Sequence, residues 1–190
     1  MNSINISIDE LISATREYGG EWAVQHSRRL LHLVEQLGAG MTYNANIIKI
    51  AAYLHDWGGY TAWLQPGVEH QMRSAEVARE WLLAHGCPLE VTDRVVECIV
   101  NHHGGPVDRS LESRLLTDAD ALELLGVVGV CRIFAMNARD LQAGAKRVQQ
   151  FRDMSLAAIT LDVSRSLAAQ RQQELDALMA TFQEETFGMI

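Results

Sequence analysis

Several ionisable side chains fall where the sequence otherwise reads as buried helix: His26, the adjacent His55 and Asp56, the pair His102 and His103, and Asp118 or Asp120. A lone histidine on an apolar helix face is ordinarily a satisfied core residue. Burying this many imidazoles and carboxylates together would cost roughly 1 to 3 kcal/mol for each unpaired polar group, and more for each charge. A shared cation removes that cost. Two imidazoles and two carboxylates make a nitrogen and hard-oxygen ligand set suited to Mn, Mg, Fe, Co, Ni or Zn, and the carboxylates neutralise a divalent ion while leaving room for water. The open positions take a phosphate oxygen and a water of lowered pKa, so hydrolysis of a phosphate ester or anhydride is the chemistry these residue types point to.

The elements that must carry these groups read as helices throughout. Ser7-Ile8-Asp9-Glu10 has capping-box spacing, so a first helix is expected over 8–18, ended by Gly19-Gly20. A second, over 22–37, places His26, Leu30, Leu33 and Leu37 on one face. A third, over 44–56, carries Ile47, Ala51, Leu54 and His55 in the same way and is broken by Trp57-Gly58-Gly59. Helices follow over 74–84, then from Pro88 or Thr92 to His102-His103, and from Ser110 to about Cys131. Gly126 and Gly129 fall inside that last helix, where a close helix crossing explains them better than phosphate binding does. One or two more helices are expected over 138–186, with a break near 155–164. No strand pattern occurs, and the chain reads as one all-α domain over 1–190, with its site-bearing core at about 20–135 and C-terminal helices at 138–186 packing on it.

Composition narrows the function classes. With 190 residues, 48% of them hydrophobic, the chain can bury a substantial core without staples. A formal charge of −8 argues against a nucleic-acid scaffold, which draws its affinity from a Lys/Arg footprint, yet a local site can still hold a small phosphorylated substrate. Cys87, Cys98 and Cys131 form no CxxC pair, and no leader or membrane-spanning run is evident, so the expectation is a cytoplasmic protein away from membranes. No GxGxxG or GxxxxGK[ST] loop and no GxSxG elbow is present.

In their order, these residues resemble the HD superfamily of metal-dependent phosphohydrolases, whose pattern is a histidine, an adjacent His-Asp and a distant aspartate. His26 opens the pattern in His26-Ser27-Arg28-Arg29, Leu54-His55-Asp56-Trp57-Gly58 is similar to the defining doublet, and Ala119-Asp120-Ala121-Leu122 is similar to the closing Ala-Asp-x-Leu. That last likeness selects Asp120 over Asp118. Helical spacing cannot, since two residues apart means about 200° of rotation. Within the superfamily the resemblance is strongest to bacterial single-domain proteins related to nucleotide pyrophosphohydrolases, through Val100-Asn101-His102-His103, the segment from Leu116 to Leu122, and the tail over 166–184. It implies an HD-type helical bundle. It also implies a divalent ion on His26, His55, Asp56 and Asp120, with His55 and Asp56 central to catalysis by metal-activated water, and a nucleotide or similar small phosphate compound as substrate.

Three departures from the family pattern shape the expectations. The lysine that many relatives carry after His-Asp is replaced by Gly58-Gly59-Tyr60, which leaves Lys49, Arg73 and Arg94 as candidate phosphate anchors. His70, His102 and His103 are similar to the extra ligands of two-metal relatives, with Asp56 as the bridge. A one-metal site in which they bind phosphate or shuttle protons fits equally, so the ion count stays at one or two. No acidic residue has a motif that assigns it as general base, and Glu69 is a candidate only because it adjoins His70. Two rival functions remain open, a mixed-valence di-iron oxygenase on the same fold and a non-catalytic, metal-stabilised nucleotide-binding or regulatory domain. Neither the oligomeric state nor the identity of the ion is specified.

Overall fold

The first helix opens on the expected capping box: Ser7 Oγ accepts from the Glu10 amide at 3.1 Å while the Ser7 amide donates to Glu10 Oε2 at 2.9 Å. The computed structural model describes residues 6–190; residues 1–5, part of the segment read for a leader, lie outside it. Helix α1 covers Ile8–Leu37, but Gly20 inside it has φ 72° and ψ −176°, so the α1 axis breaks where Gly19-Gly20 was expected to end a helix. A residue with a Cβ is strained at that φ. Helices α2 (Ala45–Leu54), α3 (His70–Ala84), α4 (Leu89–Val100) and α5 (Leu111–Leu125) follow, with a 3-10 turn at Trp57–Gly59 between α2 and α3. Then come α6 (Val127–Met136), α7 (Leu141–Ala158) and α8 (Asp162–Glu185). No strand occurs among the described residues, and the fold is an all-α bundle.

Two compact units divide between Ala119 and Asp120, within α5. In the first, α1 packs on α2, α2 on α4, and α3 on both α4 and the 3-10 turn. Helix α2 is apolar nearly all round, with Ile47, Ile48, Ile50, Ala51, Ala52, Tyr53 and Leu54 buried. A helix of that kind must lie inside, and each fully buried Leu or Ile contributes about 1.5 to 3 kcal/mol relative to exposure. Asn44 caps it by accepting from the amides of Asn46 and Ile47. In the second unit α6, α7 and α8 meet around Val130, Ile133, Val148 and Leu175, with Phe134, Phe151 and Met179 packed alongside.

The differences from expectation concern helix ends. Helix α2 stops at Leu54 with His55 as its cap, α3 starts at His70 rather than near Ser74, and α4 stops at Val100 so that His102 and His103 lie in the following turn. The single helix expected from Ser110 to Cys131 is two. Gly126 has extended backbone (φ −88°, ψ 174°) and separates α5 from α6. At Gly129 an added Cβ would lie 2.3 Å from the Leu124 carbonyl oxygen, so its smallness lets the start of α6 close onto the end of α5. Two helices, α7 and α8, fill the C-terminal region, and the break expected between 155 and 164 lies at 159–161.

Candidate metal centre

The His-Asp doublet sits where the chain leaves α2, and a buried tryptophan pins that exit. Trp57 has no solvent exposure; its Nε1 donates to Thr15 Oγ1 at 3.2 Å, and the Thr15 hydroxyl donates to the Tyr53 carbonyl at 3.1 Å. Its ring stands edge-on to Tyr18 at 5.1 Å and to Trp81 at 5.7 Å. The next residue, Gly58, lies directly on the first turns of α3: an added Cβ would come 2.3 Å from the Ser74 amide nitrogen and 2.5 Å from the His70 carbonyl oxygen. Its own amide donates to the buried Ser74 hydroxyl at 2.8 Å. That contact brings His70 beside Asp56.

Four histidines surround the Asp56 carboxylate. His26 Nε2 and His55 Nε2 lie 3.6 and 3.4 Å from Oδ2, while His70 Nε2 and His102 Nε2 lie 3.6 and 3.8 Å from Oδ1. Within each pair the ring nitrogens are 3.2 Å apart. His55, His26 and His102 are almost wholly buried, and the Asp56 side chain keeps 21% exposure, which leaves the carboxylate reachable from solvent. Two triads, His26-His55-Asp56 and His70-His102-His103, each place three ligand atoms within 4.8 Å of one another. Ligands that each lie about 2 Å from a common ion have mutual separations of this order.

Backbone contacts decide the tautomers. His55 Nδ1 is 3.0 Å from the Ala52 carbonyl and His102 Nδ1 is 2.6 Å from the Ile99 carbonyl. A carbonyl oxygen only accepts, so each Nδ1 carries the proton, and the Nε2 lone pair of each neutral ring lies 3.4 Å (His55) or 3.8 Å (His102) from an Asp56 oxygen. Lone pair against carboxylate oxygen is repulsive on its own. A cation between them satisfies both, and on this ground the residues fit a metal ion.

Protonation states agree with that role. Burial lowers His55 to about 4 against the pull of Asp56, which raises it, and burial together with the charge of His55 lowers His102 to about 3. His103, whose ring meets that of His70 at 4.6 Å, is lowered by burial and by the charges of His102 and His70. Burial alone would raise Asp56, yet His55, His26, His102 and His70 outweigh it and hold the carboxyl well below its ordinary range. At neutral pH His55, His102 and His103 are therefore neutral and Asp56 is ionised, the forms that bind metal.

The other expected residues distribute as follows. Asp120 is buried on α5, and Asp118, also buried, acts electrostatically on the Arg109 guanidinium. Arg73 donates to the Trp63 carbonyl at 3.0 Å and pairs with Glu76 at 3.0 Å, and Arg94 pairs with Glu112 at 2.9 Å, so both guanidinium groups already have partners. Lys49 is exposed on α2, and Glu69 is exposed at the N-cap of α3. Sequence reasoning missed Thr15, Trp57, Gly58 and Ser74, which position the ligands without touching them. The available signal was the Trp-Gly-Gly run directly after His-Asp and a serine one helical turn after His70.

The fold and this centre define a metal-dependent hydrolase. The HD domain family model matches residues 23–125, and the chain belongs to that family. Among solved structures it is similar to Bacillus subtilis YpgQ in complex with ADP, at 20% identity over 94% of this chain and 94% of that one, with a TM-score of 0.69. A predicted HD-superfamily hydrolase from an uncultured Thermotogales bacterium (21% identity, 93% and 91% coverage, TM-score 0.66) and one from Bacillus thuringiensis (20%, 94% and 95%, 0.66) share the fold. No curated protein matches the sequence.

Proposed function

We propose that the protein is a metal-dependent phosphohydrolase acting on a nucleotide or related small phosphate ester or anhydride, with His26, His55, Asp56 and Asp120 as metal ligands. The observation that carries this reading is the set of histidine nitrogens within 3.8 Å of the Asp56 oxygens, two of them tautomerically locked. A divalent ion bound there supplies electrophilic activation of phosphorus and a water of lowered pKa. The chain's own contribution is to hold His55, His102 and His103 neutral, to keep Asp56 ionised, and to fix His55 and His102 through the Ala52 and Ile99 carbonyls. His103, exposed beside His70 and His102, would bind phosphate or relay a proton where it does not hold a second ion. ADP in the YpgQ complex supports a nucleotide as substrate. The free cysteines, with Cys131 exposed, suit the reducing cytoplasm. No helix among the described residues is long and apolar enough to cross a membrane.

Asp56 turns one oxygen toward His26 and His55 and the other toward His70 and His102, a split that would let the two pairs hold two cations. It also supports a second reading, a di-iron oxygenase. A panel of nucleoside mono-, di- and triphosphates and dinucleotides with Mn, Mg, Co or Ni, beside an oxygen-uptake assay with iron, separates them. Phosphate release with the first set is the expected result. Oxygen consumption with iron alone would replace the hydrolase reading, and binding without turnover would make the domain a regulator.

A further inference from the structure

We propose that Trp22 is a base-binding platform beside the metal centre, on which a purine ring of the substrate stacks while Tyr60 walls the side. This rests on the nucleotide reading above. Residues four apart share a helix face, so the face of α1 that carries His26 continues one turn earlier into Trp22. The indole lies 5.9 Å from the His26 ring at an inclination of 31°, and 6.3 Å from the Tyr60 ring at 81°. Tyr60 follows Asp56 by the same four-residue step along the chain. Both aromatic rings thus hang on the segments that supply the ligands.

The corner is built rather than incidental. Tyr60 fits only because position 19 is glycine, where an added Cβ would come 2.6 Å from the tyrosine ring. Trp57, in the same part of the chain, is fully buried, whereas Trp22 keeps 44% exposure. A large indole held in water beside a polar site forgoes the burial that normally stabilises it, and a flat ligand ring would recover that burial. One ring offering a face and another standing perpendicular accommodate such a ring by offset stacking on the first and an edge contact with the second. A bare phosphate chain gains nothing there, and a purine gains more than a pyrimidine because its stacking area is larger.

The test uses the full chain loaded with Mn and calorimetric titration with the α,β-methylene analogues of GDP and UDP and with methylenediphosphonate, all resistant to hydrolysis. Trp22→Ala is expected to weaken the GDP analogue about tenfold, from stacking lost at one base, and the UDP analogue less. The expected affinity for methylenediphosphonate and the Mn content stay at wild-type values, and Trp22→Phe restores most of the GDP-analogue affinity. Equal weakening of the GDP analogue and methylenediphosphonate overturns the platform, as does an unchanged GDP-analogue affinity or a wild type that binds the two alike. GDP hydrolysis is scored separately: selective loss in Trp22→Ala without turnover in the wild type sinks the hydrolytic reading and leaves the platform standing.

Discussion

The two compact units use burial differently. Before Ala119 the chain encloses His26, His55 and His102 with hydroxyls such as Thr15 and Ser74, and each of these has a named partner. After it, α6, α7 and α8 close on an aliphatic and aromatic cluster around Val130, Ile133, Val148 and Leu175, and the buried Glu123 carboxylate is matched by Arg132. A core of the second kind is held mainly by apolar area. One of the first kind holds only while its polar groups stay mutually satisfied, which ties its integrity to protons and to a bound cation.

The strongest way to break this comparison is to remove the doublet. Replacing His55 and Asp56 together by alanine should take metal content and hydrolysis to background while helicity by circular dichroism persists. Metal retained at the wild-type ratio would show that the centre lies elsewhere. In the second unit, Leu175→Ala should cost about 2 to 5 kcal/mol in urea unfolding, the usual range for truncating a buried leucine. Its metal content should not change, and a parallel loss of metal would erase the distinction between the units.

Gly58→Ala sharpens the comparison from the side of the ligands. Its Cβ would meet α3 backbone rather than a flexible side chain, so a loss of about 1 to 3 kcal/mol is expected, together with weaker metal binding as His70 moves from Asp56. A variant as stable as the wild type, with metal affinity intact, would show that the turn and α3 are not locked.

The comparison can also be sharpened through pH. His55 and His102 have folded values near 4 and 3 against an ordinary 6.5, so above pH 6.5 both folded and unfolded chains carry them neutral. As pH falls below 6.5 the unfolded chain takes up protons that the folded one refuses, and stability drops progressively toward pH 4. Thermal melts of metal-free protein between pH 7.5 and 4.5 should show this decline, with the same slope in Leu175→Ala. A flat profile would mean that the rings are not buried neutral.

The sequence by itself determined the helical class, because apolar residues recur at the helical period through most of the chain. It also marked the break at Gly20 and the candidacy of His26, His55, Asp56 and the later histidines, because ionisable groups on apolar stripes need a common partner. The reading of Asp120 over Asp118 came from family resemblance, since both lie buried on one helix and periodicity treats them alike. Helix ends were legible only where a cap or glycine punctuates the chain. The separation of α5 from α6 at Gly126 was missed, because glycine within an apolar run signals a crossing and a break equally. What the tertiary structure alone decided is which histidines share which oxygen of Asp56. That depends on Gly58 resting on α3 and on Trp57 anchored to Thr15, contacts between residues 16 and 42 positions apart in sequence, which no local pattern encodes.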